Sequence, residues 1–133
     1  MNDRAIESEI QAKGLTAPRV SLSDVEANIA SEHYFTASQG VIGSRWAYSD
    51  DDDICDDGKG IAEDDCVSAL YDLTFCVLVL RNGFAVTGES ACVSPENFDA
   101  EMGRKIARQN AVNKIWPLLG FALKQRLHEG SEG

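Results

Sequence analysis

Apolar and polar residues follow their clearest pattern in two runs on either side of Asn82-Gly83, within DLTFCVLVLRNGFAVTGESACV. Asn-Gly between strand-like runs predicts a β-hairpin, because both turn residues tolerate positive φ. A two-residue turn sets Arg81 opposite Phe84, Val79 opposite Val86 and Val77 opposite Gly88. One face then carries Phe75, Val77, Val79, Phe84 and Val86, and this face is expected to receive a helix. The other carries Cys76, Leu78 and Leu80 opposite Glu89, Thr87 and Ala85. The first strand is therefore apolar on both faces, which an isolated hairpin does not tolerate in water. A helix, a further strand or a second subunit must cover Leu78 and Leu80, and a homodimer is the expectation.

Helical periodicity takes over after the hairpin. Ser94 is placed as an N-cap, with Pro95 at the first helical position. Phe98, Met102 and Ile106 recur at i, i+4 and predict the core stripe. Gly103, Ala107 and Ala111 form a second stripe of small side chains. Glycine costs about 1 kcal/mol against alanine in a helix interior, so Gly103 points to close approach of another backbone. Pro117 is expected to kink or break the helix, leaving LLGFALKQRL as a last short helix.

Upstream, residues 1–13 read as a short polar helix stopped by Gly14. Ser23 and Glu26 have capping-box spacing, with Val25 and Ile29 following at i, i+4, which predicts a helix over 23–35. Residues 36–66 lose periodicity and fill with Gly, Ser and Asp, the pattern of an acidic loop. The fold class is α+β: a small antiparallel hairpin or sheet (72–93) packed against a long C-terminal helical region (95–128) kinked or broken at Pro117, with short N-terminal helices. With 133 residues, 44% of them apolar, one domain over 1–133 is expected, its first 22 residues an N-terminal segment.

Charge sharpens this picture. The formal net charge is −10, yet the signs separate along the chain. Asp50 to Asp72 contains ten acids and one Lys; Gly103 to His128 contains six Lys/Arg and no acid. The net sign disfavours direct DNA binding and adhesion to anionic membranes. No run reaches the ~18–20 apolar residues of a bilayer span, and MNDRAIESEI lacks the basic start and apolar core of a signal peptide. A cytoplasmic protein with reduced thiols is expected. Cys55, Cys66, Cys76 and Cys92 have no C-x2–4-C spacing, and neither His33 nor His128 completes a zinc set, so no metal or other cofactor is expected.

Arg104 and Arg108 lie one turn apart with Lys105 beside them, and no carboxylate falls within a turn of Arg108. Like charges at i, i+4 weaken a helix by a few tenths of a kcal/mol. Guanidinium forks at this spacing suit a phosphate or carboxylate, since each donates two parallel hydrogen bonds. Arg104, Lys105 and Arg108 are therefore the candidate ligand-binding set; the plain alternative is that they lie in solvent or clasp acids of their own chain. Asp51, Asp52, Asp53, Asp56 and Asp57 are the candidate partner-binding set, spaced carboxylates able to imitate a phosphate backbone. Counted from Asp53, Asp57, Gly58 and Asp64 match a calcium loop only in part: Cys55 stands where an oxygen ligand belongs and Asp64 where a bidentate Glu does. No nucleophile–base pair, nucleophile elbow or P-loop is present, so the expectation is a binding protein and not an enzyme.

Two blocks carry a resemblance. SDVEANIASEHYFTA (23–37) and TFCVLVLRNGFAVTGESACVSPENFDAEMGRKIARQNAVNKIWPLLGF (74–121) resemble the Gp forty-nine-like family of small phage and prophage proteins. The most specific matches are Asn82-Gly83, Glu89 to Cys92, Pro95-Glu96, Phe98, Gly103 to Ala107, Asn110-Ala111 and Trp116-Pro117. Leu119 and Phe121 depart from the Glu and Tyr usual in the family, removing a charge and a hydroxyl. The resemblance implies an accessory protein made in the cytoplasm of an infected bacterium, and it brings no catalytic residues. The functional expectation is a non-enzymatic binding protein for anti-defence or host takeover, sequestering a phosphorylated nucleotide-type signal or meeting a host defence protein. A nucleic-acid-mimic inhibitor and a phage structural or assembly component are the alternatives.

Overall fold

A computed structural model of the chain describes residues 3–14, 17–48 and 68–132. Helix α1 (Asp3–Ala12) ends at Gly14, which takes φ +66°, the left-handed value that glycine adopts without a Cβ penalty. Helix α2 (Leu22–Ala27) opens on a capping box two residues earlier than the spacing suggested. Asp24 N donates to the Ser21 hydroxyl (3.2 Å), and Ser21 N donates to the Asp24 carboxylate (2.9 Å). These bonds satisfy two of the donors that a helix start leaves orphaned.

The expected helix over 23–35 does not form beyond Ala27. Ile29–Thr36 is instead strand β1, followed by helix α3 (Ala37–Tyr48) where a loop was expected. Tyr34, Phe35 and Thr36 favour extended backbone, and pairing along the hairpin outweighs the local helical spacing. Strands β2 (Leu73–Leu80) and β3 (Ala85–Ala91) complete an antiparallel sheet of order β1-β2-β3.

The hairpin register differs by one residue from the two-residue-turn reading. Leu78 pairs with Val86, Val79 with Ala85 and Val77 with Thr87. Gly83 N donates to Leu80 O (2.9 Å) and Leu80 N donates to Phe84 O (2.7 Å), so Arg81, Asn82 and Gly83 make a three-residue turn. Only Gly83 needs positive φ, at +90°; Asn82 does not. Side chains alternate along a strand, so a one-residue slip moves every partner to the other face. Val86 and Gly88 thereby join Cys76, Leu78 and Leu80, and this face, not the Phe75–Val77–Val79 face, receives the helix.

That helix, α4 (Ala100–Glu132), runs 33 residues, about 50 Å at 1.5 Å per residue. Ser94 gives it no side-chain cap; Ser94 and Pro95 open a short 3-10 turn, Pro95–Asn97. The carboxylate of Asp99 does the capping, accepting from the amides of Glu101 (3.0 Å) and Met102 (3.1 Å). Helix α4 continues unbroken through Pro117. The carbonyl that loses its donor belongs to Asn113, and both residues lie on the exposed side, where water replaces the bond.

The core forms where α4 crosses β2 and β3. Ala107, Ala111, Val112 and Ile115 bury against Cys76, Leu78, Leu80 and Val86, with Val25 of α2 joining the cluster. The small-residue stripe is thus the buried stripe. Met102 (52% exposed) and Ile106 (44%) of the expected core stripe face outward. The close backbone approach lies at Gly88 of β3: a Cβ there would overlap Ala107 O and Ala111 N and come within 2.9 Å of Asn110 C. Since α4 covers Leu78 and Leu80, these side chains no longer call for a second subunit.

Candidate functional site

The basic face of α4 divides into three differently placed side chains. Arg108 reaches across to two other elements. Its Nη2 and Nη1 donate to the two oxygens of Glu26 on α2, at 2.8 and 3.3 Å, and its Nε donates to Glu32 Oε1 on β1 at 2.6 Å. Tyr34 Oη donates to the same Glu32 oxygen at 2.9 Å. The bonds to Glu26 foremost, and that to Glu32, raise the guanidinium's pKa; the bond from Arg108 foremost lowers the Glu32 carboxyl below its ordinary range. Burial, and then donation to Glu32, push the Tyr34 phenol up. Arg108 ties α4 to α2 and β1, and this removes it from the proposed anion-binding set. Its partners come from a stretch that the sequence pattern assigned to one helix, on which residues 26 and 32 would have stood apart.

Lys105 pairs with Glu101 one turn earlier at 3.4 Å, with both side chains well exposed. Arg104 has no carboxylate partner among the described residues. It stands at a cleft of about 160 Å³ between the end of β1 and the starts of α3 and α4. Tyr34, Thr36, Gln39, Tyr71, Thr74 and Phe98 contribute to its walls. Each is placed by a definable local cause. Thr36 and Gln39 form a small helix cap, Thr36 N donating to Gln39 Oε1 (2.9 Å) and Gln39 N donating to Thr36 Oγ1 (3.2 Å). Tyr71 and Phe98 meet with ring centroids 5.6 Å apart at 60°, a tilted aromatic pair. Gly103 faces Thr74, where a Cβ would lie 3.0 Å from the hydroxyl oxygen.

Thr74 is 3% exposed, and its hydroxyl has no hydrogen-bond partner among the described residues. Buried hydroxyls are nearly always satisfied, so this one marks the cleft floor as polar and unfinished. Chemically, the cleft offers one guanidinium fork, an amide NH2 from Gln39 and aromatic walls. That set suits a single anionic head, a planar carboxylate or one face of a tetrahedral phosphate. Among the described residues it contains no base–nucleophile arrangement.

The sequence singled out Arg104, Lys105 and Arg108, and of these three the structure places Arg104 at the cleft. Tyr34, Gln39, Tyr71, Thr74 and Phe98 were not foreseen as a group, because they converge from five separate positions along the chain. Asp51, Asp52, Asp53, Asp56 and Asp57, and with them the partial calcium loop, lie outside the described residues. Cys76 and Cys92 are free thiols; burial pushes the Cys76 thiol up, and Cys92 Sγ donates to Ser94 O at 3.1 Å. Among the described residues, no helix is long and apolar enough to cross a membrane.

Comparison with curated proteins and with solved structures finds no match. Residues 20–127 do match one family, and that span contains the whole sheet, the cleft, the Arg108 tie and nearly all of α4. By that match the chain belongs to the phage protein (N4 Gp49/phage Sf6 gene 66) family.

Proposed function

We propose that this is a non-enzymatic accessory protein that serves the phage by binding, in the cytoplasm of the infected bacterium, and that it acts against a host defence or in host takeover. The anion of the bound molecule is held at Arg104. A phosphorylated nucleotide-type ligand would seat only its phosphate at the guanidinium and lie with its base outside the cleft against Tyr71, which is 62% exposed. The observation that carries the reading is the contrast within α4: Arg108 is occupied by Glu26 and Glu32, whereas Arg104 opens onto a walled cleft free of carboxylates among the described residues. Arg104 is exposed at the mouth of the cleft, so its fork is open to an anion arriving from outside.

The test is isothermal titration of the protein with inorganic phosphate and a panel of linear and cyclic nucleotides, repeated on Arg104→Ala and Arg108→Ala. Binding to wild type that disappears in Arg104→Ala and survives in Arg108→Ala supports the reading. Heat from no anion, with the protein folded by circular dichroism, removes it.

A further inference from the structure

We infer that the edge of β1, unpaired among the described residues, and the Arg104 cleft together form a docking site for an extended, acidic segment of a partner protein, which adds to the sheet as a fourth strand. The inference rests on the reading of the cleft as an anion seat and names what carries the anion.

Edge geometry supplies the first half. In an antiparallel sheet both backbone groups of a residue point to the same side, and the side alternates along the strand. Thr36 N donates to Gln39 Oε1, a side chain outside the sheet, so Thr36 points outward. By alternation Tyr34 and Glu32 point outward too, while Phe35, His33 and Ser31 bond to Phe75, Val77 and Val79. Leu80 N bonding to Phe84 O fixes the same phase from the other side of β2. The amide and carbonyl groups of Glu32 and Tyr34 therefore form an open ladder, with no partner for them among the described residues.

The other edge is treated differently. On β3 the outward residues include Glu89, whose carbonyl accepts from Asn110 Nδ2 of α4 at 2.8 Å. Helix α4 lies against that strand so closely that Gly88 has no room for a Cβ. The bond from Asn110 takes one outward group of β3, whereas on β1, beyond the register shift between Ile29 and Ser31, none of the outward groups of Glu32 and Tyr34 has a partner among the described residues. An uncovered ladder is a template for another strand.

The cleft decides which occupant fits. At about 160 Å³ it falls below the roughly 300–1,000 Å³ of sites that enclose a whole small molecule. It has the size of one side chain. Tyr34 and Thr36, on the α4 side of β1, line it. A strand added at the edge turns alternate side chains toward α4, past the cleft mouth. An acidic side chain at that position meets Arg104, and its backbone meets Glu32 and Tyr34.

The experiment uses the full chain, isotopically labelled for NMR, with end-capped octapeptides of alternating threonine and valine in which glutamate occupies each position in turn. At least one peptide should shift the amides of Glu32 and Tyr34 together with the side chain of Arg104. Replacing its glutamate by glutamine, or Arg104→Ala in the protein, should weaken binding about tenfold or more, the scale of a charge-assisted hydrogen bond. Methylating alternate peptide amides should abolish binding, while inorganic phosphate continues to shift Arg104. If phosphate moves Arg104 but no peptide moves the Glu32 and Tyr34 amides, or the methylated peptide binds equally well, strand addition is wrong and the anion seat stands. If neither phosphate nor any peptide moves Arg104, both fall.

Discussion

Gly88→Ala tests the central packing claim, because propensity and packing predict opposite signs. Gly88 has ordinary negative-φ backbone and sits in β3. On propensity alone, alanine should stabilise the strand by a few tenths to about 1 kcal/mol, since glycine loses more conformational freedom on folding. Packing says otherwise. The added Cβ would overlap Ala107 O and Ala111 N, and even its third neighbour, Asn110 C, lies at 2.9 Å, about half an ångström or more inside ordinary carbon contact. All three are backbone atoms of α4, so no rotamer change relieves them. The helix must withdraw. A radial gap of 0.5–1 Å forfeits about a quarter to a half of each dispersion contact, and the contacts affected join Ala107, Ala111, Val112 and Ile115 to Cys76, Leu78 and Val86. Overpacking alone costs about 1–3 kcal/mol, and loosening this seam places Gly88→Ala near about 3–5 kcal/mol. That is a large share of the ~5–15 kcal/mol typical of a domain. Urea unfolding followed by tryptophan fluorescence and far-UV circular dichroism gives the difference directly. Gly83→Ala is the control: nothing lies within 4 Å of that site, so its cost is only the strain of φ +90°, about 1 kcal/mol. If Gly88→Ala equals or exceeds wild type in stability, the approach of α4 to β3 described above is wrong.

Arg108→Ala should destabilise by about 1–2 kcal/mol; Glu26 and Glu32 are 46% and 38% exposed, and water screens the pair. The sign of its pH dependence follows from Glu32, whose carboxyl is held below its ordinary value near 4.5. The stability from this tie is fully present above that value and is lost as pH falls below it. The gap in melting temperature between wild type and Arg108→Ala should therefore narrow on acidification, and a gap that widens would refute the tie. Thr74→Val removes an unsatisfied buried hydroxyl while keeping its shape, so it should be neutral or stabilise by up to about 1 kcal/mol in urea titrations; a clear loss would reveal a hidden partner. Ile106→Gln should change stability by less than about 1 kcal/mol, whereas Ala107→Leu should cost about 2–3 kcal/mol by overpacking. The reverse order would restore the stripe first read from the sequence.

The α+β class, the hairpin at Asn82-Gly83 and the long helix after it were legible because each has a local cause. The alternating run of β2, the turn dipeptide and the i, i+4 spacing all act within a few residues. What failed depends on contacts made far along the chain. Both Ser21/Asp24 and Ser23/Glu26 satisfy a capping rule, and only packing of Val25 into the α4 seam chooses between them. Phe98, Met102 and Ile106 looked like a core stripe because large apolar residues usually are one. Here β3 comes so close at Gly88 that Ala107 and Ala111 lie beneath it, Gly103 faces Thr74 of β2, and Met102 and Ile106 are turned out. Gly103 did signal a tight interface, although the tightest point is its counterpart, Gly88.

The site was legible as a charge pattern and illegible as a geometry. Sequence spacing placed Arg104 and Arg108 on one helical face, and on that ground they looked equivalent. Their difference arises because a helix presents residues four apart to different surroundings once it crosses a sheet. At Arg108 the crossing brings α2 and the middle of β1 within reach, and Glu26 and Glu32 close on the guanidinium. One turn earlier, the same helix passes the end of β1, where Thr36, Gln39 and Tyr71 supply no carboxylate. Two like charges one turn apart weaken a helix only slightly; once Arg108 is neutralised by two acids, even that penalty fades. Of the two arginines, Arg104 then remains the one without a carboxylate partner among the described residues, and such a guanidinium at the mouth of a polar cleft is where binding is to be sought.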